Sequence, residues 1–436
     1  MTINNEHKKL NFSNEREQSQ TCLNSAEHEK NQGRKVLNVP NLRFKEFQGE
    51  WEKCILGDYG KVVTGNTPPT KDIENYENGT YLWASPADLS TIKLISETKT
   101  KLSSKGFSKT RALPKGSVLV TCIGSTIGKT GMATKEMSTN QQINSIVVND
   151  NNDNEFVYYA IQSAFPRYLS SIAVQAVPII SKSAFEMLPN KRPCLQEQKK
   201  IGKFLSLLDE RIATQNKIID KLQSLIKGLE DNLLDNPLWE KTYLRSFMQF
   251  FPTNSLSWEQ LGYKEGAIRN LHYGLIHSFQ TRGINSASLP MIKNEAVPKQ
   301  YVLCQVGDVA FADASEDTGE IAKSVEFVDT IEGDTICGLH TIHGRDIKNR
   351  TVVGFKGFAF NSRYFHNQIK RLAQGTKVFS ITANNLSSCY VYLPDLEKQK
   401  AIVKLLRSYE EQLIIGRMIL KQYEKQKQYL LRQMFI

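Results

Sequence analysis

The nine residues Pro193-Cys-Leu-Gln-Glu-Gln-Lys-Lys-Ile201 return as Pro394-Asp-Leu-Glu-Lys-Gln-Lys-Ala-Ile402, without a gap and with Pro, Leu, Gln, Lys and Ile in register. The same offset of 201 residues pairs Val177 with Val378, Ile180 with Ile381 and Ser181 with Thr382. A period this long in a chain of 436 residues describes two similar halves, not a stack of short repeats.

Each copy of the motif opens a long apolar stripe. Ile201, Leu205, Leu208, Ile212, Ile219, Leu222, Ile226, Leu229 and Leu233 follow the alternating four- and three-residue step of a heptad, broken only at Gln215. The second stripe keeps the phase with Ile402, Leu406, Tyr409, Leu413, Gly416, Leu420, Tyr423 and Leu430. Heptads sustained over this length predict coiled-coil pairing. Helices of about 40 residues would each be roughly 60 Å long, and each starts just after a proline, as helices often do. Neither can hide its stripe alone. Antiparallel pairing of the two would place Gln215 beside Gly416 at mid-seam; the competing reading is that each helix packs on its own domain.

The regions before the helices echo one another more faintly. Trp51-Glu-Lys is matched with Trp258-Glu-Gln, Pro114-Lys-Gly116-Ser-Val118-Leu119 with Gln305-Val-Gly307-Asp-Val309-Ala310, and Ile127-Gly-Lys129 with Ile321-Ala-Lys323. Strands are predicted at 143–148 and 335–342, and helical runs at 155–172 and 360–372. The loops differ between the halves, notably at Gly65–Lys71 and Asp313–Gly319. The expected fold class is α+β. Two similar α/β domains are separated by a long antiparallel two-helix coiled coil, with pseudo-two-fold internal duplication. The boundaries read as a disordered polar extension at 1–35, a first domain at 36–193, a first long helix at 194–236, a second domain at 237–394 and a second helix at 395–436.

Charge points toward a polyanionic partner. Lys and Arg number 56 against 45 Asp and Glu, a net +11, spread along the chain. Locally Lys93, Lys99, Lys101, Lys105, Lys109, Arg111 and Lys115 are opposed in their own stretch only by Glu97. Such a run would neutralise phosphates and release counterions. A solvated surface loop is the competing reading.

Chemistry is harder to find. Gly124-Ser-Thr-Ile-Gly128-Lys129-Thr130 has one residue too few between its glycines for a phosphate-binding loop. No Asn/Asp-Pro-Pro-Tyr/Phe tetrapeptide of adenine methyltransferases occurs, and Asn66-Thr-Pro-Pro-Thr70 is not one. Asp313, Glu316 and Asp317 are close in sequence, but their counterpart segment has no acid, so a surface loop is expected there instead of a nuclease site. The seven cysteines are scattered and never in CxxC spacing, which predicts reduced thiols and no metal site. His340 and His343 have no Cys or carboxylate at ligand spacing in sequence. No stretch approaches the ~18 apolar residues of a membrane helix and no signal peptide is visible, so a cytoplasmic location is expected.

Residues Leu37-Asn-Val-Pro-Asn-Leu-Arg-Phe44, Gly49-Glu-Trp-Glu52, Leu56-Gly-Asp58 and Thr64-Gly-Asn-Thr-Pro68 together resemble the opening of Type I restriction–modification specificity (S) subunits. The Gly-Ser-Val-Leu strand, Ile127-Gly-Lys129 and the Pro-x-Leu-x-x-Gln-x-x-Ile motif before a long helix are also similar to that family, and the resemblance covers roughly residues 37–436. It implies a non-catalytic subunit with two target recognition domains, each reading one half of an asymmetric bipartite DNA sequence. It implies spacer helices that dock two methyltransferase (M) subunits, with restriction/translocase (R) subunits joining them and no membrane. S-adenosylmethionine would sit in the methyltransferase subunit, and ATP and Mg in the restriction subunit, with no cofactor in this chain. Adenine-N6 methylation and restriction would then be activities of the complex. The alternative is a coiled-coil interaction scaffold without sequence-specific DNA binding.

On that reading the first domain's candidate DNA contacts are Thr64, Asn66, Thr67, Ser125, Thr126, Lys129, Asn140, Gln141 and Gln142, with Lys99, Lys101 and Lys105 on phosphates. In the second they are Arg269, His272, Tyr273, Ser315, Glu316, Asp317, Lys323, His340 and Arg345. Amide side chains suit adenine, and Arg and Lys suit guanine.

Overall fold

The structure is a computed structural model and describes residues 38–89, 93–171, 179–279, 281–329 and 333–436. The polar extension 1–35 and Val177 lie outside the described residues. The chain forms two compact units, one from residues up to Glu210 with Lys425–Ile436, the other from Arg211–Glu424. Each unit thus takes a part of both long helices, instead of ending where those helices begin.

The first unit contains β1 (Glu52–Ile55), β2 (Gly60–Thr64), β3 (Tyr81–Ala84), β4 (Leu94–Ile95), β5 (Thr100–Leu102), α1 (Ser104–Ser108) and β6 (Val118–Thr121). Then follow β7 (Thr130–Ala133), β8 (Met137–Thr139), β9 (Ile143–Val148), α2 (Asn154–Ser171), α3 (Lys182–Glu186), β10 (Pro189–Arg192) and the start of α4 (Leu195–Leu234). A five-stranded sheet runs in the order β2-β9-β6-β7-β4 and a three-stranded one in the order β5-β3-β8. Val118, Leu119 and Val120 of β6 are all fully buried, so this central strand is a continuous apolar run without alternation. Gly116 opens it at φ +84°, a left-handed turn that glycine adopts without strain.

The second unit contains β11 (Glu240–Tyr243), β12 (Met248–Phe251), β13 (Leu261–Gly262), β14 (Ile268–Leu271), α5 (Tyr273–Ser278), β15 (Gly283–Ile284) and β16 (Met291–Ile292). It continues with β17 (Val309–Ala312), β18 (Ala314–Ser315), β19 (Ser324–Phe327), β20 (Asp334–Cys337), β21 (Thr341–Asp346), α6 (Phe355–Ala359) and α7 (Arg363–Leu372). Last come β22 (Phe379–Ser380), α8 (Ala383–Ser388), β23 (Tyr390–Leu393) and α9 (Leu396–Gln433). Its five-stranded sheet, β12-β21-β17-β19-β15, has the same order as the first unit's. In both sheets three antiparallel pairs are followed by one parallel pair, β4 on β7 and β15 on β19.

Three local expectations change. The segment 335–342 is not one strand. It breaks into β20 and β21 at Gly338–Leu339–His340, where His340 has φ +54°. The run 360–372 does not begin at Phe360, because Ser362 caps α7 by accepting from Phe365 N, while Asn361 bonds Ser324 and Gly357. The partner of Trp51 is not Trp258 but Trp239. Trp239-Glu-Lys leads into β11, which pairs with β23 as β1 pairs with β10, whereas Trp258 opens a short 3-10 turn before β13.

The repeated glutamine has the same place in both units. Gln198 is 1% exposed, and its Nε2 donates to Pro193 O and Asn152 Oδ1 while its Oε1 accepts from Asp153 N. Gln399, 0% exposed, donates to Pro394 O and Arg350 O and accepts from Val352 N. Each side chain ties the first turn of a long helix to the loop beside it and satisfies backbone groups that water cannot reach.

Along α4, Ile201, Leu205, Leu208, Ile219 and Ile226 are buried, and Ile212, Gln215, Leu222, Leu229 and Leu233 are half-buried. Along α9, Ile402, Leu406, Leu413, Gly416 and Leu430 are buried, with Tyr409, Leu420 and Tyr423 half-buried. In the second unit the stripes divide by task. Ile219, Leu222, Ile226, Tyr409, Leu413 and Leu420 form one cluster, whereas Leu229, Leu233, Ile402 and Leu406 join the core below the sheet. Gln215 Nε2 donates to Gly416 O at 3.1 Å, and Glu230 lies near Arg282 along with Glu410, so α4 and α9 run in opposite directions there. In the first unit Lys427 pairs with Asp209 at 2.7 Å and Phe435 packs on Trp51 and Phe156. No described helix is long and apolar enough to cross a membrane.

Candidate nucleic-acid interface

Strand register decides which loops share a surface. In the first unit β2 ends at Thr64 opposite Asn144, and β6 ends at Thr121 opposite Ile143. The loops 65–72, 122–129 and 140–142 therefore leave the same end of the sheet. Backbone bonds from Asn66 N to Thr139 O and from Asn140 N to Ala84 O bring the end of the smaller sheet there too.

Gly65 makes this meeting possible. A Cβ at that position would stand 2.2 Å from the carbonyl oxygens of Thr139 and Asn140, a distance no side chain tolerates. Around it Thr67 donates to Gln141 Oε1 at 2.5 Å, and Asn140 exchanges bonds with Gln142. Arg111 donates to Thr64 O at 2.7 Å, while Thr64 donates to Asn144. Asn66 is engaged at both ends of its amide, by Lys109 O and Arg111 N, so it braces the loop. Ser125, Lys129 and Gln141 are exposed, with Thr126, Thr67 and Gln142 half-buried.

The basic stretch is less free than it reads. Lys93 is buried and paired with Glu155 at 2.6 Å, with Ser206 as a further acceptor. Lys101 pairs with Glu97, Lys105 with Glu74 and Asp72, and Lys109 with Asp72. The Lys109 hydrogen bond and the neighbouring Lys105 hold the Asp72 carboxyl below its usual range. Seven cations are thus not opposed by Glu97 alone, because three further acids arrive from elsewhere in the fold. Lys99 and Arg111 are exposed at the rim.

In the second unit β12 ends at Phe251 opposite His343 and β17 ends at Ala312 opposite Thr341, which gathers the loops after 251, at 313–323 and at 338–340. His340 contacts Asp313 at 3.0 Å, and its ring lies 5.3 Å from that of Tyr273. Lys323 pairs with Glu320 at 3.0 Å and donates to His277 O. Ser315 accepts from Asp317 N, and Glu316 and Asp317 are exposed. The turn that carries Lys323 repeats that of Lys129: Ala322 at φ +55° stands where Gly128 has φ +89°. In each case the lysine carbonyl accepts from the strand before, Ala312 N and Thr121 N.

Three candidates fall elsewhere. His272 is 3% exposed, stacks on Trp258 at 4.5 Å and caps α5 by accepting from Gly274 N. Burial, with His340 adding to it, pushes its pKa down, so it is a neutral packing residue. Arg269 bonds the carbonyls of Ala287 and Leu289. Arg345 lies toward the other end of β21 and is spent on Asp308. That carboxyl would rise through burial, but hydrogen bonds from Arg345 and His343 bring it below its usual value. The aromatics Trp258 and Tyr263 are exposed, 46% and 65%, a placement that has no sequence signal beyond their residue type.

Residues 48–224 and 291–425 match the family model of the Type I restriction modification DNA specificity domain. The chain is 27% identical over 412 residues to the Type I restriction enzyme MjaVIII specificity subunit of Methanocaldococcus jannaschii, which covers 88% of this chain and 93% of that one. It is 30% identical over 182 residues to the MjaIX specificity subunit of the same organism, 40% of this chain and 42% of the relative. Among solved structures it is similar in fold to a Type I restriction–modification S subunit from M. genitalium, with TM-score 0.58, 15% identity and coverage of 91% and 99%. Another similar fold, from a study of complex assembly in the type I system, has TM-score 0.54, 14% identity and coverage of 89% and 98%. The family match spans most of the chain and both units, so this protein belongs to the Type I restriction modification DNA specificity domain family.

Proposed function

We propose that the chain is the non-catalytic DNA-reading subunit of a Type I restriction–modification complex, with each unit reading one half of an asymmetric, bipartite sequence. One observation carries this reading. The two units share a strand order yet gather loops of unlike chemistry at the same sheet end, amides and hydroxyls around Lys129 in the first, acids and a histidine around Lys323 in the second. Asn and Gln match adenine edges, and Asp or Glu accept from cytosine. Two unlike loop sets on one scaffold are what an asymmetric target requires.

The matching sheets, the paired Gln198 and Gln399 clamps and the two Trp-Glu-Lys openings support an internal duplication. The oppositely directed α4 and α9 support a two-helix coiled coil, read here as the spacer that sets the gap in the target and docks two methyltransferase subunits. Those subunits would bind S-adenosylmethionine, and restriction subunits would use ATP and Mg.

The test mixes the full chain with its methyltransferase partner, S-adenosylmethionine and DNA. Adenine methylation at one bipartite sequence, only with both proteins present, is the expected result. Methylation of random DNA, or the same sequence modified without this chain, would overturn the reading.

A further inference from the structure

In the second unit three buried side chains, distant in sequence, meet at one point. Cys304 precedes the turn into β17, Cys337 ends β20 and His343 lies on β21. The two sulfurs are 3.6 Å apart, and one donor atom from each of the three lies within 4.8 Å of the other two. Exposure is 6%, 3% and 1%. Asp308, also 1% exposed, sits 2.7 Å from His343 Nε2 and is held in turn by Arg345 and Gln305 N.

Two thiolates and an imidazole are three of the four donors of a tetrahedral zinc centre, the fourth position being left to a water, and Zn–S bonds of about 2.3 Å put two sulfurs roughly 3.8 Å apart. The spacing found here is close to that before any metal draws the groups together. A carboxylate on the ring is the usual partner that orients a ligating histidine.

The scaffold does not itself need these residues, because the first unit builds the same sheet without them. Gly116 and Gly307, both at positive φ, put Leu113 where Cys304 stands and Ser117 where Asp308 stands. Leu119 faces Ser145 as Ala310 faces His343, and Ala84 faces Thr139 as Leu271 faces Cys337. Four changes, to Cys, Cys, His and Asp, at positions that converge in space therefore need a reason other than the fold.

We propose that Cys304, Cys337 and His343 bind one zinc ion, with Asp308 orienting the imidazole. Binding releases each thiol proton to solvent as its Zn–S bond forms, with no change of oxidation state. The ion pins the segment before β17 to both sides of the Gly338–Leu339–His340 turn, and so fixes His340 at the loop end of the sheet. The site stands independently of the DNA-reading proposal.

The spacing hid this site from sequence reading, since Cys304 is 33 residues from Cys337. The test uses the untagged full-length chain, stripped with chelator under reducing conditions and titrated with zinc chloride and, separately, with cobalt(II) chloride. About one zinc per chain and the visible spectrum of tetrahedral thiolate-bound cobalt are expected. Cys304→Ser with Cys337→Ser should abolish the thiolate-to-cobalt band, and Asp308→Asn should weaken zinc binding by about 10–100-fold with that band retained. The wild-type measurement decides even where a variant fails to fold. Zinc bound at well below one per chain, a cobalt spectrum without thiolate character, or an intact band in the double serine variant would overturn the proposal.

Discussion

Glu410 shows how far one side chain can depart from its surface behaviour. It is 9% exposed and faces Glu230 as well as Arg282, and its pKa is pushed up to about 7, by burial first and opposed by the Arg282 charge. The folded state therefore holds this proton more tightly than the unfolded chain, whose glutamate titrates near 4.5. Stability is then greatest below that unfolded value and falls as pH rises through about 7. Glu410→Gln should leave acid stability unchanged and raise it by roughly 1–3 kcal/mol at pH 8, with a flatter pH dependence in urea melts. Equal pH profiles for the two proteins would show that the carboxyl is ionised in the fold. Nothing in the sequence announced this. Position 410 is flanked by another acid, Glu411, and its partner Arg282 is more than a hundred residues away in the chain. The basic stretch misled for the same reason: its partners Asp72, Glu74 and Glu155 are set by folding, not by neighbourhood in sequence.

At the level of elements, periodicity carried most of the information. The long stripes appear as α4 and α9, and 143–148 is β9 residue for residue, because burial on one face or on both leaves a pattern in the residues themselves. Where the backbone breaks for local reasons the pattern was silent, as at His340 and at the Ser362 cap. In the fainter part of the repeat Gly116 with Gly307 and Lys129 with Lys323 are equivalent in the fold, and only the tryptophan was mismatched, because the offset is not constant. It is 201 at the helices but 188 between Trp51 and Trp239, so a fixed offset cannot find the second tryptophan. The repeated glutamine was visible as a motif, but its task was not. Gln399→Ala leaves Val352 N and the carbonyls of Pro394 and Arg350 without their partner. It should cost about 1–3 kcal/mol in urea unfolding, against almost nothing for the exposed neighbour Lys398→Ala. A similar small cost for both would mean that the clamp is dispensable.

For the whole molecule, family membership was within reach of the sequence, whereas the strand order and the bases read were not, because loop conformation and not residue type decides which group meets a base edge. Asn66 and Arg345 fit a base reader by type, and both are engaged inside the protein. The most direct test of two independent readers is to replace residues 40–190 with the corresponding unit of a relative of known target. The modified bases of the host genome are then sequenced. One half of the recognised sequence should change to the relative's, with the other half untouched; a change in both halves, or in neither, would contradict the account.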